Sequence, residues 1–105
     1  MRGSRRNFLA QADKTAAYLG LCRKAGKLTL GVNAVQALRG GVYLLVADTN
    51  VAPNSRREIE KLQKKFGCPL IYIPDLGEKA GAPMRMLAAV REEHLAQAIT
   101  AACKE

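Results

Sequence analysis

Apolar residues recur at Ala12, Ala16 and Leu19, a stripe that predicts a helix over Gln11–Ala25, stopped by Gly26. Lys27–Leu30 reads as a short extended piece. Gly31 then opens a second helix with Val32, Val35 and Leu38 on one face, and the pair Gly40-Gly41 closes it. Val42–Ala47 (VYLLVA) is continuously apolar, as in a central strand covered on both faces. Asp48–Asn54 is a loop containing Pro53. Ser55 and Glu58 match a capping box, and Ile59, Leu62 and Phe66 mark the buried stripe of a third helix ended by Gly67. Leu70–Ile73 (LIYI) is another apolar strand, stopped by Pro74. A short fourth helix over Leu76–Ala80 ends at Gly81, and Met84–Val90 reads as a strand. A last helix starts near Glu92 and Glu93, whose charges suit a helix N-terminus, and buries Leu95, Ala98, Ile99 and Ala102. Helices alternating with wholly apolar strands predict an α/β fold, a three-layer α/β/α sandwich around a mixed sheet.

The 105 residues suit one domain. Residues 1–10 read as a flexible basic arm and 11–105 as a single α/β/α domain. The opening MRGS also matches an expression-tag remnant, in which case its neighbouring arginines carry no information. Cys22, Cys68 and Cys103 are odd in number and fit neither metal-ligand nor redox spacing. Each lies in or beside an apolar run, which predicts buried reduced thiols and a reducing compartment. With no long apolar segment and no signal-peptide core, the expected location is cytoplasmic.

Charge adds a direction to this picture. Residues 1–47 carry eight basic side chains against the single acid Asp13, whereas residues 48–105 carry nine bases and eight acids. Of the net charge of +8, +7 (8 − 1) therefore belongs to residues 1–47 and +1 (9 − 8) to the rest. Such a field attracts phosphate backbones, although the same charge would also serve solubility alone.

Catalytic chemistry finds little support. His94 is the only histidine, and nothing in its spacing pairs it with a cysteine as nucleophile and base. Asp48 and Asp75 each follow a strand, where α/β folds place functional groups, but turn and cap roles explain them as well. No glycine-rich nucleotide motif occurs, and neither cofactor nor metal is expected. Arg56, Arg57, Lys61, Lys64 and Lys65 alternate with Glu58 and Glu60, the pattern of a solvated helix face with local charge pairs.

The segment Arg23–Gln36 (RKAGKLTLGVNAVQ) differs: three bases lead into a glycine turn and a helix start. Free N–H groups at a helix start attract phosphates and electron-rich base edges, and Asn33 both donates and accepts hydrogen bonds. Gly31 and Asn33 would equally serve only to build the turn.

The stretches AGKLTLGVNAVQALRGG, VYLLVADTNVAPNSRREIEKL and CPLIYIPDLGEKAGAP, in this order and spacing, resemble the ribosomal protein L-seven-Ae family, which includes the L-thirty-e class. The resemblance is greatest to its short bacterial members of the YlxQ type and spans about residues 13–102. It implies an α/β/α sandwich with about four strands and binding to kink-turn RNA, a sharply bent duplex with sheared G·A pairs. The helix-start Asn that meets guanines in the family matches Asn33; Gly31 and Val32 match the turn, and Lys27 a basic position beside the RNA backbone. The loop that covers the flipped-out nucleotide matches Ala82-Pro83-Met84-Arg85. Ala34 and Ala37 stand where many members carry Glu and Lys, and Gln36 is a candidate replacement for one of those contacts.

The expectation is thus an RNA-binding, ribosomal-protein-like, non-enzymatic partner of kink-turn or ribosomal RNA. Arg23, Lys24, Lys27 and Arg39 would supply backbone electrostatics, Asn33 and Gln36 would read base edges, and Ala82–Arg85 would pack on the exposed nucleotide. Neither a small-molecule substrate nor a membrane is expected. Two other readings remain: a ribosome-associated protein docking by protein or nonspecific rRNA contacts, and an accessory substrate-binding module for an RNA-modifying enzyme.

Overall fold

A computed structural model describes residues 14–104; the basic arm at 1–10 and Ala12 lie outside it. Helix α1 is described over 14–24 and buries Thr15, Leu19 and Cys22, while Ala16 is only half-buried. The stripe therefore includes a threonine, which an apolar pattern omits, beside the expected buried Cys22. Strand β1 (Leu28–Leu30) leads into helix α2 (Val32–Gln36). This helix is five residues long and caps at Ala37, short of the expected Gly40-Gly41 stop. Valine and asparagine are weak helix formers, and Leu38 packs on the core from outside the helix.

Strand β2 (Leu44–Asp48) is buried throughout and starts two residues later than its apolar run, because Tyr43 faces solvent. Helix α3 (Pro53–Phe66) starts at its proline, whose fixed φ suits the first helical position. Ala52 is the N-cap and no side chain caps it, so Ser55 and Glu58 do not form the expected box. Ile59 and Leu62 are buried, Phe66 is half-buried, and Gly67 closes the helix. Strand β3 (Leu70–Ile73), helix α4 (Leu76–Lys79) and strand β4 (Leu87–Val90) follow. The expected strand from Met84 is shorter by three residues, because Met84 takes φ 76° and turns the chain. Helix α5 (Glu93–Lys104) buries Ala96, Ile99 and Ala102, with Leu95 and Ala98 half-buried.

The four strands lie in the order β1-β4-β2-β3. β4 is antiparallel to both β1 and β2, and β2 is parallel to β3, so the sheet is mixed. Alternation along β2 sends Leu44 and Val46 to one face, with Leu19 and Cys22 of α1 and Ala96 and Ile99 of α5. Leu45 and Ala47 face the other way, onto Val35 of α2 and Ile59 and Leu62 of α3. The result is the three-layer α/β/α sandwich. Among the described residues no helix is long and apolar enough to cross a membrane.

Two polar devices tie loops to this core. The buried Asp48, at the end of β2, accepts the Asn50 N–H at 2.8 Å and the Leu76 N–H at 3.1 Å, fixing the start of α4 to the central strand. Asp48→Ala should strand the Leu76 N–H and lower stability by about 1–3 kcal/mol; an unchanged denaturant midpoint would contradict this. At the start of α5, Glu92 Oε2 accepts the Leu95 N–H at 2.6 Å. That bond, helped by His94 beside Oε1, holds the Glu92 carboxyl below the usual carboxylate range. Since the folded value is the lower one, the cap contributes fully above the ordinary range and is lost as pH falls through the folded value. The Leu95 amide resonance is expected to titrate at lower pH than an ordinary glutamate would cause, and a midpoint in the ordinary range would remove the cap.

Candidate nucleic-acid interface

Antiparallel pairing of β4 with β1 and β2 puts the C-terminal ends of β1, β2 and β3 at one end of the sheet, with the chain entering β4 between them. This is where α/β sheets commonly hold ligands. The turn into α2, the start of α4 and the loop before β4 all gather there. The Gly31 N–H donates to Leu87 O at 2.8 Å, which sets the turn beside the loop.

Gly31 is buried and holds φ 95°, ψ 145°, a conformation that side-chain-bearing residues rarely adopt. The Arg85 side chain lies directly over it: a Cβ built at Gly31 would come 3.3 Å from Arg85 Nη1 and 3.7 Å from Cδ. The two segments singled out from the sequence, some fifty residues apart, therefore form one surface. Val32 is half-buried, and Asn33 is exposed in the first turn of α2. The earliest N–H groups of a helix lack intrahelical acceptors, so this turn presents Asn33 together with main-chain donors.

The loop is shaped from below by Gly77. A Cβ there would lie 2.9 Å from Ala82 O and 3.2 Å from Met84 N and Arg85 O, so only a glycine lets the loop sit so low. The Ala82 N–H donates to Gly77 O at 2.7 Å, and the Arg85 N–H to Ala82 O at 3.2 Å. Met84, at positive φ, is 92% exposed and projects a long apolar side chain into solvent. Beneath it lies a cleft of about 170 Å³ lined by Asp48, Asp75, Gly77, Pro83 and Arg85.

The other expected residues are more scattered. Gln36 ends α2, and its carbonyl accepts Lys65 Nζ from α3 at 3.0 Å. Lys27 precedes β1, about one short strand from Gly31, and Lys24 ends α1; both are exposed. Arg39 is exposed beyond the C-terminal end of α2. Arg23 is already engaged, its Nη1 donating to Ala80 O at 3.0 Å and Gly81 O at 2.6 Å. On α3, Lys61 lies 3.6 Å from Glu58, a local charge pair, whereas Arg56 stacks on Tyr72 of β3 at 4.6 Å. The shaping role of Gly77 and the contact from Lys65 had no sequence signal beyond the Pro74–Gly81 spacing.

The remaining reactive groups lie elsewhere. Burial pushes the Cys22 and Cys68 thiols up from their ordinary value, and the two sit in opposite core layers. Cys103 is exposed, which corrects the expectation that all three thiols are buried. It falls on the last turn of α5, on the same side as Ala96 and Ile99 but at the end of the helix. His94 is exposed and meets Glu92.

No protein-family model matches the chain, and no curated protein matches it by sequence. Among solved structures, a protein of unknown function from Bacillus halodurans superimposes with a TM-score of 0.73 at 21% identity, over 88% of this chain and 98% of that one. That likeness establishes the fold alone.

The Gly31 geometry is directly testable. Gly31→Ala should lower stability by about 1–3 kcal/mol through backbone strain and displace the Arg85 guanidinium. Equal unfolding midpoints for variant and wild type would mean that the turn is not constrained as described.

Proposed function

We propose that this chain binds structured RNA at a sharp bend of the kink-turn type, and that it works by recognition and not by catalysis. The observation that carries the reading is the packing of Arg85 over Gly31. It joins a turn bearing Asn33 to a loop bearing an exposed Met84, so that hydrogen-bonding and apolar groups share one surface. Regular A-form RNA hides its base edges in a deep, narrow groove, and unstacked bases are the usual targets of sequence-specific recognition. A bend offers both an opened groove and an unstacked base. Asn33 suits the first, with Gln36 one turn along the same helix; Ala82, Pro83, Met84 and Arg85 suit the second. Lys24, Lys27 and Arg39 are exposed and supply a positive field to the phosphates. The resemblance to the L-seven-Ae family supports the same reading, as does the basic first half of the chain. A cytoplasmic ribonucleoprotein role in translation follows from it.

A second reading is favoured by one observation: Ala34 on α2 and Ala37 at its C-cap are exposed, which leaves two small neutral positions there. Such a surface suits docking on a ribosome through protein or nonspecific rRNA contacts. Co-sedimentation with ribosomes combined with no affinity for isolated bent RNA would favour it.

Asn33→Ala is expected to weaken binding to a kink-turn RNA by about 1–3 kcal/mol, as lost base-edge contacts do. Equal affinity of the two proteins would remove Asn33 from the site.

A further inference from the structure

We infer that Arg23 is a positioning residue that latches the Ala82–Arg85 loop in its binding shape, and not a phosphate ligand; the functional part of this inference rests on the reading above. Helix α1 is a firm post, since Leu19 and Cys22 are completely buried in the core. Its C-terminal turn is held as well: Arg91 Nη2 donates to Gly26 O at 2.6 Å, and the Lys27 N–H to Cys22 O at 2.9 Å. Arg23 follows Cys22 directly and extends from this post to the end of α4. Helix α4 is a single turn of four residues, too short to be stable alone. The last carbonyls of a helix have no partners within it. Arg23 Nη1 supplies a charged donor to Ala80 O and Gly81 O, the two carbonyls immediately before the loop. From there the loop runs over Gly77 to Arg85 and Gly31. Its N-terminal end is thus fixed by Asp48 through Leu76 and by Arg23 through Ala80 and Gly81, and its far end by β4. Arg23 is exposed, yet its Nη1 group already donates to two carbonyls of this chain, which commits that group to shape.

Two measurements on Arg23→Gln separate the roles. The first is amide hydrogen exchange in the free protein. The Ala82 and Arg85 amides should exchange faster in the variant, while the amides of β2 are unchanged. The second is the salt dependence of binding to a kink-turn RNA. A phosphate ligand contributes nearly one to the slope of log affinity against log salt. A latch contributes nothing to it, so affinity should fall on the order of tenfold, the scale of one charge-assisted hydrogen bond, at unchanged slope. A slope shallower by about one phosphate overturns the inference, and so do loop amides that exchange as in the wild type. If the wild-type chain does not bind the RNA, the functional reading fails, while the exchange result still decides whether Arg23 holds the loop.

Discussion

β4 is the element on which the candidate site depends. It is only four residues long, yet it pairs on both sides, with β1 along one edge and β2 along the other. All four of its residues are fully buried. The small side chains of Ala88 and Ala89 point to opposite faces and let a helical layer pack on each. Because antiparallel pairing fixes register residue by residue, the position of Leu87 sets what stands next to it. On one side it receives the Gly31 N–H, which places the turn into α2. On the other, the preceding Met86 carbonyl receives the Asp48 N–H at 2.9 Å, which places the end of β2. A slip of one residue would separate the turn from the loop and turn the apolar side chains of β4 to the wrong faces.

The site is a loop supported on a rigid sheet, with each support doing a different job. Asp48 anchors the start of α4 from the central strand, and Gly77 leaves room for the loop to settle. Arg23 closes the end of α4. Held in this way, the loop keeps Met84 in a backbone conformation that costs energy and points its side chain outward. A surface prepared in advance loses less conformational entropy on binding than one that must order itself.

Much of the fold was legible in the sequence. VYLLVA announced the buried strand β2 because both faces of the sheet are covered there, LIYI announced the edge strand β3, in which Ile73 is buried and the rest half-buried, and Ile59 and Leu62 marked the inner side of α3 at helical spacing. The failures have a common origin in facts that hydrophobic pattern does not carry. Met84 and Met86 look like a continuation of β4, and only the φ of Met84 breaks the strand. Ser55 and Glu58 have the spacing of a capping box, but Pro53 starts the helix earlier and leaves both inside it. Thr15 completes the inner face of α1 beside the expected buried Cys22, although a threonine is not counted as a typical core residue. For the site, the turn at Gly31–Asn33 and the loop at Ala82–Arg85 could be named from sequence, but their contact could not. It arises from long-range strand pairing, and the engagement of Arg23 with carbonyls more than fifty residues away arises from α1 and α4 sharing one core layer.

The most direct test is a binding titration against a kink-turn RNA and against the same RNA with its sheared G·A pairs replaced by Watson–Crick pairs, at fixed near-physiological salt. A strong preference for the bent RNA is the expected result. Equal, weak and salt-sensitive binding to both would contradict it and leave the basic surface as a nonspecific one.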